Sequence, residues 1–313
     1  MNNWSSRDWG YMTTILEPLV DLHTLSLRFS RKDTYMSGGA KNIMLPKLTS
    51  LRLYDEDIST GIAQFLDHVS CPTLENIKCW SDMRERRLNQ LDGALRKALK
   101  TKMDTTALYT SFIPLTIAFS NSCIPSEGDQ SYVNLGVWSS EQDSSILSDD
   151  EFQWEPVQGS FTALRLRRIK DLFSKALSMF NLTHTTVIWI DSCVEGTPLS
   201  TWRRFLHSTP NVHTLRIRDF RELASMLRVP RPDSSQPVTL ARLKILNLRG
   251  VIKKDLSTLK PLIRVLKARQ NYVSEPIDIL DRLELSADYC VRFSEKDTQF
   301  LRDASIAKVV TTT

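Results

Sequence analysis

The chain has 313 residues, 41% of them hydrophobic and 25% charged, with a net charge of +5 and a pI near 8.9. That composition excludes a chain disordered along most of its length. The longest apolar candidate, Phe112–Phe119, is eight residues and contains Pro114, well short of the ~18–20 residues that cross a bilayer, so no membrane attachment is expected.

In chain order, Met1-Asn2-Asn3-Trp4-Ser5-Ser6-Arg7 lacks the basic start and apolar core of a secretion signal, which points to the cytoplasm or nucleus. The five cysteines (Cys71, Cys79, Cys123, Cys193, Cys290) cannot all pair and form no CxxC, so reduced thiols are the expectation. The glycosylation triplets Asn3-Trp4-Ser5 and Asn181-Leu182-Thr183 would go unused in such a compartment. Trp4, Trp9, Tyr11, Met12, Ile15 and Leu16 mark one capping helix within residues 1–21.

A repeat begins at Leu22. Leu22-His23-Thr24-Leu25-Ser26-Leu27 recurs as Leu48-Thr49-Ser50-Leu51-Arg52-Leu53 and as Leu74-Glu75-Asn76-Ile77-Lys78-Cys79, 26 residues apart each time. The same frame fits at Val212, Leu243 and Leu280, and more loosely at Phe112, Tyr132, Phe161 and Thr185, giving about ten candidates. Alternation such as Leu51-Arg52-Leu53-Tyr54 is the period of a strand with two different faces. Between the strands the period becomes helical: Ile58, Ile62, Phe65, Leu66 and Val69; Leu88, Leu91, Leu95 and Leu99; Leu172, Phe173, Leu177 and Phe180; Leu199, Trp202, Phe205 and Leu206; Leu256, Leu259, Leu262, Ile263 and Leu266. Strand, helix and strand at a regular interval imply parallel strands with crossovers. One such unit cannot bury its apolar side alone, so neighbours must stack.

The charge is unevenly spread. Residues 103–164 contain nine acidic side chains and no Lys or Arg, a net −9, which leaves +14 for the rest. Within it, the Ser- and Asp-rich stretch around 139–160 is expected to be a mobile acidic insertion.

The L-x-x-L-x-L frames resemble a leucine-rich-repeat protein over roughly residues 19–290. The Asn or Cys that usually follows the strand is met only by Cys193, so the expected fold is an irregular α/β solenoid. It would be a horseshoe with a parallel β-sheet on the concave face and helices on the convex face. The expected organisation is a single solenoid over 22–300 and a C-terminal tail over 301–313. Leu45-Pro46-Lys47-Leu48, Cys71-Pro72-Thr73-Leu74 and Thr209-Pro210-Asn211-Val212 are similar to the degenerate repeats of fungal-type F-box-like proteins. That resemblance implies substrate recognition for a cullin-type ubiquitin ligase. Only 21 residues precede the first repeat, so an adaptor would be a partner only if an F-box lies outside this chain.

Catalytic patterns are wanting. The histidines (His23, His68, His184, His207, His213) form no HExxH or His-x-His, and no cysteine pair has zinc spacing. Gly38-Gly39-Ala40-Lys41 lacks phosphate-loop spacing, there is no GxSxG elbow, and Asp149-Asp150-Glu151 reads as a solvated acidic loop. A non-enzyme without metal or cofactor is expected.

The strand parity carries the functional expectation. With Leu51 and Leu53 inward, Arg52 and Tyr54 face the opposite side, as do Lys78 and Trp80, Arg165 and Arg167, Trp189 and Asp191, Arg216 and Arg218, and Asn247 and Arg249. Arg and Trp are enriched among binding hot spots. The expectation is therefore a protein-binding scaffold with a cationic, aromatic concave face and an acidic protein partner. A nucleic-acid binder using the same face ranks below it, because +5 and pI 8.9 are modest for phosphate-dominated binding. A non-catalytic enzyme inhibitor is a further alternative.

Overall fold

The computed structural model describes residues 9–29, 42–55, 60–81, 114–124, 130–141, 161–167, 173, 176–177, 180–190, 198–218, 223–230, 237–251, 256–272, 277–287 and 295–312. It is a mixed α/β structure built largely from parallel strands and short helices. The chain divides into two compact units, Met1–Ile113 with Asn121–Ile169, and Pro114–Ser120 with Lys170–Thr313.

In the first unit, α1 (Trp9–Leu16) precedes β1 (Thr24–Phe29), β3 (Ser50–Asp55) and β5 (Asn76–Ser81). These strands pair in parallel, Thr24 opposite Ser50 and Ser50 opposite Asn76, so the 26-residue sequence stride is the step from strand to strand. β8 (Phe161–Arg167) continues the parallel set next to β5, and β7 (Gln130–Trp138) lies antiparallel to β8. The short strands β2 (Ile43–Met44) and β4 (Val69–Ser70) form a separate parallel pair, and α2 (Thr60–His68) connects β3 to β4. Leu25, Leu51 and Ile77 line up as one buried row across β1, β3 and β5, against the buried Ile62, Phe65 and Leu66 of α2.

The second unit carries the parallel order β6 (Thr116–Ile124), β9 (Val187–Ile190), β10 (Thr214–Ile217), β11 (Ile245–Val251), β12 (Leu280–Ala287) and β13 (Ala307–Thr312). Residues 116–120 of β6 belong to this unit and 121–124 to the first. Among the described residues its helices include α3 (Leu199–His207), α4 (Leu223–Met226), α5 (Leu256–Gln270) and α6 (Glu295–Asp303). Ile117, Ile188, Leu215, Leu246, Leu283 and Val310 form one continuous buried row across the six strands. Beside it, Phe119, Phe173, Trp202 and Phe205 make an aromatic cluster with ring centroids 4.3–5.4 Å apart.

Why six of these strands repeat is visible in the turn ahead of them. An i to i+3 hydrogen bond closes Leu19–Leu22, Leu45–Leu48, Cys71–Leu74, Leu182–Thr185, Thr209–Val212 and Leu240–Leu243. Pro46, Pro72 and Pro210 stand second in their turns, where a fixed φ near −65° is already the one required. The residue just before several of these strands then offers one carbonyl to two amides of the strand alongside. His23 accepts from Thr49 and Ser50, Thr49 from Glu75 and Asn76, His213 from Lys244 and Ile245, and Lys244 from Asp281 and Arg282, all at 2.8–3.1 Å. Side chains on these turns also reach across repeats: Asn211 donates to the Thr183 carbonyl (2.7 Å) and accepts from Arg242 (2.6 Å), and Thr73 donates to the Pro46 carbonyl (2.8 Å).

One turn needs outside help. Leu240 has φ 51°, a left-handed conformation uncommon without glycine. Arg269 of α5, itself buried, donates to the carbonyls of Leu240 (2.6 Å), Thr239 (2.8 Å) and Leu227 (3.3 Å). Burial lowers its pKa to about 10, so it stays charged at neutral pH.

Further expectations are corrected. Within the tail expected over 301–313, residues 301–303 complete α6 and Ala307–Thr312 form β13, which pairs with β12. The strands from the loose frames at 112 and 132 do not stack in chain order, since β5 pairs directly with β8, β6 with β9, and β7 runs antiparallel. The helical stripe Leu88–Leu99 and the acidic insertion from 142 to 160 lie outside the described residues.

Candidate functional site

Strand pairing decides which predicted face residues meet. On the first unit, Ser26, Arg52, Lys78 and Ala163 occupy one row, and Arg28, Tyr54, Trp80 and Arg165 the next. Adjacent rows of a strand are two residues apart, on the side opposite the buried leucines. Ser26, Arg28, Arg52 and Tyr54 are exposed, Tyr54 at 37%. The Arg28 guanidinium lies over the Tyr54 ring, 4.8 Å from its centroid. Lys78 departs from expectation: it is 7% exposed and not part of an open surface. Arg167 sits two residues beyond Arg165 and opposite Tyr132 of β7. The side chains of Trp80, Arg165 and Arg167 lie outside the described residues.

On the second unit the same parity produces the row Ala118, Trp189, Arg216, Asn247, Glu284 and Thr311. Here the expectation of an open cationic face is corrected. Trp189 is 2% and Arg216 8% exposed, and β9 is buried along its whole length. The Arg216 guanidinium stands 5.7 Å from the Trp189 ring centroid. Asn247, also buried, donates to Glu284 Oε2 at 2.7 Å, while Arg282 donates to Glu284 Oε1 at 3.2 Å. Alternation selects a face, but burial depends on what packs there, and in this unit both faces of the central strands are covered. Arg218 is exposed at the end of β10 and Arg249 half-buried opposite Ser286. Asp191 lies outside the described residues.

Sequence reasoning missed two residues of these rows. Arg28 follows from the parity of Leu25 and Leu27, and Glu284 from that of Leu283 and Leu285; both were legible once the frames at 22 and 280 were read to their ends. Glu284 changes the character of the second row, because it introduces an acid into what was expected to be cationic.

Among the described residues no three metal-ligating side chains converge, and no helix is long and apolar enough to cross a membrane. Cys71 and Cys79 are buried and form no disulfide, and burial pushes the Cys79 thiol up to about 12, the opposite of an activated nucleophile. The chain matches no family model, no curated protein and no solved structure.

Proposed function

We propose that this chain is a protein-recognition module that works by binding and orienting a partner, with the exposed face of the first unit as its working surface. The single observation that carries the reading is the exposed group Ser26, Arg28, Arg52 and Tyr54 on one side of paired strands, with Arg28 held over Tyr54. Arg and Tyr supply large contact area with directed donors, the chemistry of interface anchors. The reading extends to a leucine-rich-repeat solenoid, supported by the turn-strand unit and its shared carbonyl recurring down the chain. Resemblance of the Leu-Pro-Lys-Leu type of turn to F-box-like proteins supports a more specific role as the substrate-binding part of a cullin ubiquitin ligase. Ubiquitin transfer would belong to other subunits.

The test compares the full chain with an Arg52→Glu/Tyr54→Ala variant as bait in quantitative affinity mass spectrometry, with and without nuclease. A protein retained by the wild type after nuclease treatment, and lost from the variant, supports the reading. Retention that disappears with nuclease and falls steeply with salt would instead identify a nucleic-acid binder. Co-enrichment of a cullin adaptor with a longer product carrying this segment is the outcome expected of the ligase role.

A further inference from the structure

We infer that the outer side of the second unit's helices α3, α4 and α5 binds a nucleic-acid duplex through its phosphates. The inference goes beyond the protein-recognition reading, since it concerns the other unit and a different partner. The modest +5 that weighed against phosphate-dominated binding averages two unequal parts. The first unit carries −3 and the second +8, from 23 Lys and Arg against 15 Asp and Glu. The span 198–272, which contains all three helices, is more basic still, with 16 Lys and Arg against four Asp and Glu. The helices themselves hold six Lys or Arg and no acid.

Helix α5 turns an apolar side inward and a basic one outward. Leu259, Leu262 and Leu266 are buried along with Arg269. Lys260, Arg264 and Lys267 are exposed and have no carboxylate partner among the described residues. With ~3.6 residues per turn and ~1.5 Å per residue, these three fall within about 60° of one another, in a stripe about 10 Å long. The layer is continuous: Arg203 of α3 donates to the Ser225 carbonyl of α4 (3.4 Å), and Arg269 of α5 to the Leu227 carbonyl just after α4 (3.3 Å). Arg203 and Arg228 are exposed as well.

The same layer discriminates among anionic partners. Among the described residues, the exposed large apolar side chains of the second unit are Ile279, Phe300 and Val309, and none is on α3, α4 or α5. A protein partner would find no apolar anchor there, and the bases of a single strand no aromatic ring to stack on. A helix lying on a membrane needs its apolar side toward lipid, whereas that of α5 is buried in the unit. A duplex asks only for cations. It presents a phosphate charge every ~1.7 Å of its axis, and Lys and Arg engage these phosphates whatever the base sequence.

The experiment measures fluorescence anisotropy of a labelled DNA duplex and an RNA duplex against the full chain over a salt series. One DNA strand alone, a poly-Glu peptide and phosphatidylserine vesicles serve as competitors. At least one duplex should bind more tightly than all three competitors, and the tighter duplex identifies the source of the phosphates. Lys260→Gln/Arg264→Gln/Lys267→Gln should weaken duplex binding at least about tenfold at low salt. It should also flatten the slope of log K against log salt by about 2.7, at ~0.9 per phosphate contact. Lys260→Arg/Lys267→Arg keeps the charge and should keep the affinity. Lys244→Gln/Arg282→Gln/Lys308→Gln removes the same charge away from the three helices and should change the slope by less than about one. Circular-dichroism melts of these variants should match the wild type, since all six side chains are exposed. Equal losses in the two triple variants would reveal a response to net charge alone and overturn the inference. So would an unchanged slope in the α5 variant, or tighter binding of the single strand, the peptide or the vesicles than of either duplex. A protein partner lost from Arg52→Glu/Tyr54→Ala bears on the first unit's face and leaves this result untouched.

Discussion

Arg269 offers a stringent test of how the second unit is held together. Its guanidinium reaches three backbone carbonyls, two of them at 2.6 and 2.8 Å, and one belongs to Leu240 in its left-handed conformation. Hydrogen bonds from a charged donor each contribute ~1.5–3 kcal/mol, so the two short ones give about 3–6 kcal/mol. Against this stands the cost of burying the charge, which lowers the pKa from 12.5 to about 10; at ~1.4 kcal/mol per pH unit this is about 3 kcal/mol. Arg269→Met removes both contributions and leaves the carbonyls to relax, for a net loss of about 2 kcal/mol. For a unit of this size that is a fall in Tm of roughly 4–8 °C. Arg269→Lys is the sharper variant. It keeps a buried charge while giving up the planar fork that serves several carbonyls at once, and it should be at least as destabilising as Arg269→Met. Differential scanning calorimetry measures the loss, and hydrogen exchange should locate it at residues 237–243. A lysine variant as stable as the wild type, or a methionine variant with unchanged Tm, would refute the clasp.

Other consequences are equally open to measurement. Leu246 is fully buried in the continuous row, so Leu246→Ala should cost ~2–5 kcal/mol in urea unfolding, whereas Arg249→Glu should stay within ~0.5 kcal/mol; equal losses would contradict the strand parity. Burial raises the Cys79 thiol to about 12, so iodoacetamide at mildly alkaline pH should label it far more slowly in the native chain than in urea, as read by mass spectrometry. Matching rates in the two conditions would show that the strand is open. The exposed Asp281 carboxylate accepts from Lys308 at 2.7 Å, which holds its pKa below the ordinary value and that of Lys308 above its own. The pair's contribution is present above the unfolded carboxyl pKa, is lost as pH falls through the lower folded one, and fades at high pH as Lys308 deprotonates. An NMR titration should show Asp281 moving back toward ordinary values in Lys308→Ala, with little change in Tm.

Local chemistry made part of this fold legible. Leu45-Pro46-Lys47-Leu48 and its counterparts announce a closed turn, and the alternation after them announces a strand with one buried side; both are contained in ten consecutive residues. The six strands preceded by those turns, β1, β3, β5, β9, β10 and β11, pair in parallel with another strand as expected. The α3 stripe of Trp202, Phe205 and Leu206 is likewise buried. Strand β13 was missed because Ala307-Lys308-Val309-Val310 lacks the leucine frame, although its β-branched residues were the available signal.

By itself, the sequence determined where the strands with the leucine frame form and which side of each carries Arg, Tyr or Trp, because these follow from backbone geometry and a two-residue period. Tertiary structure alone decided that β5 joins β8 across more than eighty residues, that β7 runs antiparallel, and that the chain divides into two units. It also decided which arginines are accessible. Arg52 and Arg216 occupy equivalent places in their frames, yet one is exposed and the other is buried beside Trp189. The reason is physical: periodicity is a property of a segment, whereas burial depends on whatever distant part of the chain comes to lie over it.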